Sequence, residues 1–172
     1  MAKKIFNYNL RLFKFDAVFA ICAVIVIIID QFTKRMVINK IPLNSQLEII
    51  PNFLYITHIK NTGAAFGMFQ DKTDILIIIS FIAVILVAVL KITLKIDSFI
   101  YNISLGFILG GAIGNLFDRF FLRQVTDFIQ VNYFAVFNGA DSFIVIGFVL
   151  LFIIIIKIFF KKEEKTSNKK LP

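Results

Sequence analysis

The run "FNGADSFIVIGFVLLFIIIIKIFF", Phe137–Phe160, decides how this chain is read. Between Phe143 and Phe160 its only charged residue is Lys157. A helix needs roughly 20 residues to cross a hydrocarbon core of about 30 Å, so residues 142–160 are read as a membrane span. Asp141 stands at the mouth of that span with no lysine or arginine within four residues on either side. An acid in that position needs a reason, because a charge at the edge of lipid is costly unless it is paired or used.

Working outward, three more runs have the same character. They cover about 12–29, which includes "AVFAICAVIVIII", about 75–94, which includes "ILIIISFIAVILVAVL", and about 99–117, "FIYNISLGFILGGAIGNLF". The whole chain is 59% hydrophobic and 17% charged, with 22 Phe and no Trp. Soluble domains are closer to half apolar and a quarter charged. The fold class expected is an all-α integral membrane protein of four transmembrane helices, forming one domain over residues 1–160. Residues 161–172 are read as a basic, disordered cytoplasmic tail. No small-residue cleavage site follows the first apolar run before Asp30, so that run is read as a span and not as a cleaved leader.

Cations orient the spans. Lys3, Lys4, Arg11 and Lys14, then Lys91 and Lys95, then the lysines from Lys157 to Lys170 make 12 of the 19 Lys and Arg residues. Both termini are therefore expected in the cytoplasm. The net charge of +8 reads as attraction to anionic phospholipid, with no nucleic-acid partner. Lys34 and Arg35 run against the pattern, which points to a specific task on the outer side. Cys22, the one cysteine, cannot form an internal disulfide and is read as a packing residue.

The first outer loop carries "QLEIIPNFLYITHIK", β-branched and aromatic residues broken at Pro51-Asn52, which predicts two short strands and a turn. "RQVTDFIQV" alternates and predicts a third. Together they suggest a small extracytoplasmic β platform. In the third span, Gly106, Gly110 and Gly114 recur every four residues, a stripe that admits a close neighbouring helix. Asn102 and Asp118 continue it, and Gly111, Asn115 and Arg119 form a second stripe beside it.

Of the outer-side acids, Glu48, Asp71 and Asp74 are read as solvated. Asp30 has Lys34 one helical turn on, and Asp118 is read as partnered by the adjacent Arg119. Asp127 lies among Val125, Phe128 and Ile129, with Arg123 carried away by an extended backbone. Asp127 and Asp141 are thus the best candidates for two carboxylates in a partly desolvated site. Two such acids cannot both ionise easily; one can activate a water while the other protonates a carbonyl. Helix capping by Asp141 remains an alternative. His58 is alone and no HExxH occurs, against a zinc peptidase. Ser80 and Ser104 have no histidine in a span to activate them.

Taken together, "DQFTK" (Asp30–Lys34), "NTGAAFG" (Asn61–Gly67), "GGAIGNLFDR" (Gly110–Arg119), "VTDF" (Val125–Phe128) and "FNGADS" (Phe137–Ser142) resemble, in order and spacing, the blocks of the lipoprotein signal peptidase (signal peptidase II) family. The resemblance runs from the first span to the last. It implies a bacterial plasma-membrane aspartic endopeptidase that removes the signal peptide of a prolipoprotein just before its diacylglyceryl-modified cysteine. It also implies Asp127 and Asp141 as the catalytic pair, with Asp30, Lys34, Asn61, Gly63, Gly111, Asn115, Arg119 and Asn138 in support. The threonine of "VTDF" stands where an aliphatic residue is common. No metal or cofactor is expected, lipid-modified prolipoproteins are the expected partners, and a monomer is expected, with the site at the extracytoplasmic face. Two other readings remain: a prepilin-type membrane aspartic peptidase, and a non-enzymatic small transporter or scaffold using its acids as a proton relay.

Overall fold

The computed structural model describes residues 2–64, 67–94, 96 and 98–168, with the side chains of 2–15 and 162–168 not described. Four long helices, α1 (Ala2–Lys40), α2 (Thr73–Leu94), α3 (Phe99–Leu122) and α4 (Gly139–Asn168), carry three strands, β1 (Gln46–Ile50), β2 (Leu54–Asn61) and β3 (Val125–Val131). All four helices are long and apolar enough to cross a membrane. The strands form one antiparallel sheet in the order β1-β2-β3. Lys95 and Asp97 of the inner loop lie outside the described residues.

Each helix overruns the apolar run that marks it in the sequence. α1 continues past Ile29 to Lys40 because nothing between them breaks a helix. It stops where Ile41 precedes Pro42, a position biased away from helical geometry. α3 passes through Asp118 and Arg119 and ends at Arg123, whose φ of 61° is left-handed and whose N–H donates to Arg119 O. α4 does not end at Phe160; helix persists through Asn168, since the polar stretch from Lys161 is rich in lysine and glutamate, both good helix formers. The expectation of a disordered tail from residue 161 is corrected accordingly, and residues 169–172 lie outside the described part.

α3 is the central helix. In its membrane window 61% of residues are buried, against 17% or less in the other three. Its glycine stripe explains how. A Cβ on Gly106 would lie 2.7 Å from Phe19 O, one on Gly110 2.6 Å from Ala23 O, and one on Gly114 2.6 Å from Asp30 Oδ2. These distances require glycine, and they bring the α3 backbone against α1. On a different side of α3, Gly111 admits the first turn of α4, with Ala140 O only 2.5 Å from where its Cβ would be. Val87, Tyr101, Leu105, Ile108 and Ile154 form an apolar core between α2, α3 and α4. Lys91 pairs with Asp16 at 2.7 Å, joining α1 and α2 away from the sheet.

β1 and β2 are joined at Pro51–Phe53, as the sequence suggests. β3 departs from simple alternation: Val125, Thr126, Asp127 and Phe128 are all buried. β2 pairs along one edge of this segment, and α1 and α3 contact it as well.

Gly110→Ala should therefore lower stability by about 1–3 kcal/mol, the usual cost of overpacking. Gly139→Ala should change it little, because the nearest atom to its Cβ is an ordinary 3.6 Å away. Thermal unfolding in detergent measures both, and equal loss in the two variants would contradict the close α1–α3 approach.

Candidate active site

The site is assembled where the sheet meets the ends of α1, α3 and α4. Its foundation is Lys34, only 3% exposed. The Lys34 ammonium lies 2.7 Å from Asp30 Oδ2 and 2.7 Å from Asp118 Oδ2, and both acids are buried. It also donates to Asn115 Oδ1 at 3.1 Å. Gln31 Nε2 donates to Asp118 Oδ1 at 3.0 Å and to Asp30 Oδ2 at 3.2 Å, holding both carboxylates toward the lysine. Asp30 Oδ1 accepts the backbone N–H of Ala140 at 2.9 Å, satisfying an otherwise orphaned donor in the first turn of α4. One buried cluster therefore ties three helices together.

This corrects the pairing expected for Asp118. Its partner is Lys34 of α1, not its neighbour Arg119. Consecutive helical residues point in different directions, and the four-residue repeat that runs through Gly106, Gly110 and Gly114 aims Asp118 at α1. That repeat was the available signal. Gln31 carried no such mark beyond its place one turn before Lys34.

From Lys34 the network reaches the two candidate acids through asparagines. An ammonium only donates, so Asn115 must turn its Oδ1 to Lys34 and its Nδ2 away; that Nδ2 donates to Asp141 Oδ1 at 2.7 Å. Asn138 Oδ1 accepts the backbone N–H of Asp141 at 3.0 Å, which turns its Nδ2 to Asp127 Oδ1 at 2.7 Å and to Asn115 Oδ1 at 3.2 Å. Asn61 Oδ1 accepts the N–H of Gly63 at 2.8 Å, which turns its Nδ2 to Asp127 Oδ2 at 2.7 Å. Each of the three amides has its carbonyl held by an obligatory donor, and each is thereby made a donor to a carboxylate.

Asp141 Oδ2 also accepts the N–H of Asn138 at 3.2 Å. With the reverse bond from Asp141 N to Asn138 Oδ1 this is a capping box at the start of α4. The capping role and a role in chemistry therefore coexist in one residue. Asp127 and Asp141 both bond to Asn138, so the structure places them on a common neighbour. Burial pushes the Asp127 carboxyl up to about 6; the charge of Asp141 adds to the rise, while the Asn61 and Asn138 amides and the charge of Lys34 oppose it.

Arg119 donates through Nη2 to Gly63 O at 3.4 Å, and its buried Nε has no hydrogen-bond partner among the described residues. Gly63 has no room for a side chain, since a Cβ would sit 2.8 Å from Met68 O. Arg123 is carried away from Asp127 as expected and pairs instead with Asp74 at 2.6 Å, on the exposed surface. His58 is buried in the sheet, its Nδ1 on Ile41 O at 2.8 Å, in a structural position.

Asn61, Asn115, Arg119, Asp127, Asn138 and Asp141 all line a cavity of about 750 Å³. Its remaining walls are mostly apolar, from Leu76, Ile79 and Ala83 of α2, Ala112 of α3, and Ile144 and Val145 of α4. α2 and α4 both pack on α3 and both line the cavity, which lies in the cleft between them.

With this geometry in hand, comparison with known proteins is specific. The family model for signal peptidase (SPase) II matches residues 22–157. The lipoprotein signal peptidase of Caldanaerobacter subterraneus subsp. tengcongensis is 45% identical over 127 residues, covering 73% of this chain and 87% of that one. That of Geobacillus kaustophilus is 40% identical over 150 residues, covering 85% and 96%. Two solved structures, each described as a bacterial membrane enzyme structure obtained by the in meso method, superpose with TM-scores of 0.77 and 0.74 at 33% identity. The first covers 91% of this chain and 93% of its own. The chain belongs to the signal peptidase II family, and it is a membrane-spanning peptidase.

Lys34→Met leaves two buried carboxylates without their cation and should destabilise the protein by about 3–5 kcal/mol. Adding Asp118→Asn should recover part of that loss, as coupled neighbours do. A double-mutant cycle by thermal unfolding measures the coupling. Strictly additive losses would contradict the shared cluster.

Proposed function

We propose that the protein is an aspartic endopeptidase that removes the signal peptide from diacylglyceryl-modified prolipoproteins just before the lipidated cysteine. The observation that carries this reading is the pair Asp127 and Asp141, joined through Asn138 at the polar end of an otherwise apolar cavity. Family membership supports the substrate class, as does the name lipoprotein signal peptidase borne by its relatives.

In this mechanism the two acids share one proton. The ionised member takes a proton from water, whose oxygen attacks the scissile carbonyl carbon. The protonated member gives its proton to the carbonyl oxygen, forming a tetrahedral gem-diol. Collapse returns one gem-diol proton to the ionised acid as the carbonyl re-forms. The C–N bond breaks as the protonated acid gives its proton to the cysteine amine, and the pair is left with its one shared proton. Asn61, Asn115 and Asn138 hold the carboxylates in register. Arg119, which lines the cavity, binds substrate backbone carbonyls. The acyl chains lie between α2 and α4, where the walls are apolar. Each buried methylene contributes about 0.8 kcal/mol, so the lipid both holds the substrate and sets which bond meets the acids.

The site belongs to the extracytoplasmic face in this reading, with both termini in the cytoplasm, as the cation distribution favours. Reporter fusions after Lys60 and Asn132 should report outside and one after Lys95 inside. An inside signal at Lys60 would put the site on the wrong face.

Asp127→Asn and Asp141→Asn should each abolish cleavage without unfolding the protein. Asparagine at 141 keeps an oxygen to accept the Asn138 N–H, so the cap survives while the acid is lost. Turnover above roughly a tenth of wild type, less than about 1.4 kcal/mol in the barrier, would remove that residue from the pair. A paired assay with precursors differing only in the diacylglyceryl group tests the substrate. Poor cleavage of the unmodified peptide is expected, whereas equal cleavage would favour a prepilin-type peptidase.

Because Asp127 is raised to about 6, the free enzyme keeps the shared proton below that value and loses it above. The profile of kcat/KM should fall as pH rises through about 6. A profile flat for about a unit on either side would contradict the shared proton.

A further inference from the structure

The sheet ends in an apolar tip that the chemistry above does not use. The β1–β2 turn and the end of β3 meet there. Asn132 donates its backbone N–H to Phe53 O at 2.9 Å and its side-chain amide to Asn52 O at 3.0 Å. Ile50, Phe53, Tyr133 and Phe134 stand on this junction and are 46%, 53%, 98% and 58% exposed. Leu47 and Ile49 are exposed as well, and so is every residue of edge strand β1. Tyr133 has φ of 63°, a left-handed conformation uncommon for a residue with a Cβ. Clustered apolar exposure of this kind marks a contact surface.

The connection to the rest of the molecule identifies what it contacts. Phe137 pairs with Ile129 in both directions, at 2.8 and 3.0 Å, so the segment leaving the tip is held against β3 as it approaches α4. The Phe134 ring meets the Phe137 ring at 6.0 Å, and both residues line the cavity. Val145 of α4 lines that cavity too and is 61% exposed on the flank of a span. The tip is thus continuous with surface that the span turns to lipid. Its chemistry is that of a bilayer interface: aromatic and aliphatic side chains beside two asparagines, with a tyrosine, a residue enriched at that depth. A turn bearing a 98% exposed ring is a protrusion, suited to entering a fluid layer.

We propose that this tip is a membrane-interface anchor. Ile50, Phe53, Tyr133 and Phe134 enter the boundary between headgroups and acyl chains of the phospholipid bilayer, on the side of the membrane that holds the site. The sheet then lies along the membrane instead of standing up in water, and the adjacent mouth of the cavity opens into lipid. This does not depend on the peptidase mechanism.

The chain has no tryptophan, so a single introduced one reports alone. Tyr133→Trp and Phe53→Trp, made separately in the full chain, are reconstituted in vesicles of phosphatidylcholine and phosphatidylglycerol brominated either high on the acyl chains or near their ends. Both variants should emit to the blue of free tryptophan amide and be quenched more by the high-brominated lipid. Phe152→Trp, on the exposed flank of α4 at mid-span, should show the reverse order and confirms insertion. Emission at the wavelength of free tryptophan, quenched by iodide and by neither lipid, overturns the proposal. Blue-shifted emission that neither lipid quenches also overturns it, because protein then covers the tip.

Discussion

A lysine ammonium buried among three helices sets most of this architecture. Lys34 has two carboxylates at 2.7 Å, Asp30 and Asp118, and the carbonyl of Asn115 at 3.1 Å. An isolated buried charge is too costly to persist, so α1 and α3 must approach closely enough to supply both acids. Gly114 permits that approach by leaving room for Asp30. Asp30 then uses its second oxygen on the N–H of Ala140, which fixes where α4 begins. The position of Asp141 follows, because it lies one residue further along the same first turn.

The same cation determines the polarity of the hydrogen bonds around the proposed catalytic pair. It accepts nothing, so Asn115 must point its amide at Asp141. The N–H groups of Asp141 and Gly63 play the corresponding part for Asn138 and Asn61. Asp127 and Asp141 consequently face donors, and these donors partly offset the burial that raises Asp127. Such an arrangement suits a pair that exchanges one proton: burial and the charge of Asp141 favour the neutral form of Asp127, and the amides favour its carboxylate. Close balance between these tendencies keeps both protonation states accessible.

Much of this was legible in the sequence, for identifiable reasons. Four apolar runs can only be spans, and Pro51-Asn52 between β-branched residues can only be a turn. Asp141 stands out because no cation lies within four residues of it, and Asp127 because an extended backbone carries Arg123 away. Other features depended on contacts between distant segments. Adjacency alone suggests Arg119 as the partner of Asp118, but the helical repeat turns it toward Lys34. α1 and α3 overrun their apolar runs because Asp30, Lys34 and Asp118 neutralise one another inside the fold, so charges that look like span ends are interior. The charge of the tail suggests disorder, yet lysine and glutamate are also good helix formers, and α4 continues to Asn168. The donor logic of the asparagines could not be read at all, since it depends on which atom of each amide meets which donor.

The central claim is that Asp127 and Asp141 behave as one coupled acid pair. Carbon-13 labelling of aspartate carboxyls in the protein reconstituted in nanodiscs, with the two signals assigned through Asp127→Asn and Asp141→Asn, tests this most directly. The account predicts that Asp127 titrates near 6 and that its midpoint falls when Asp141 is replaced by asparagine, because a repelling charge has gone. Two independent titrations near the ordinary carboxylate value, each indifferent to removal of the other acid, would contradict it.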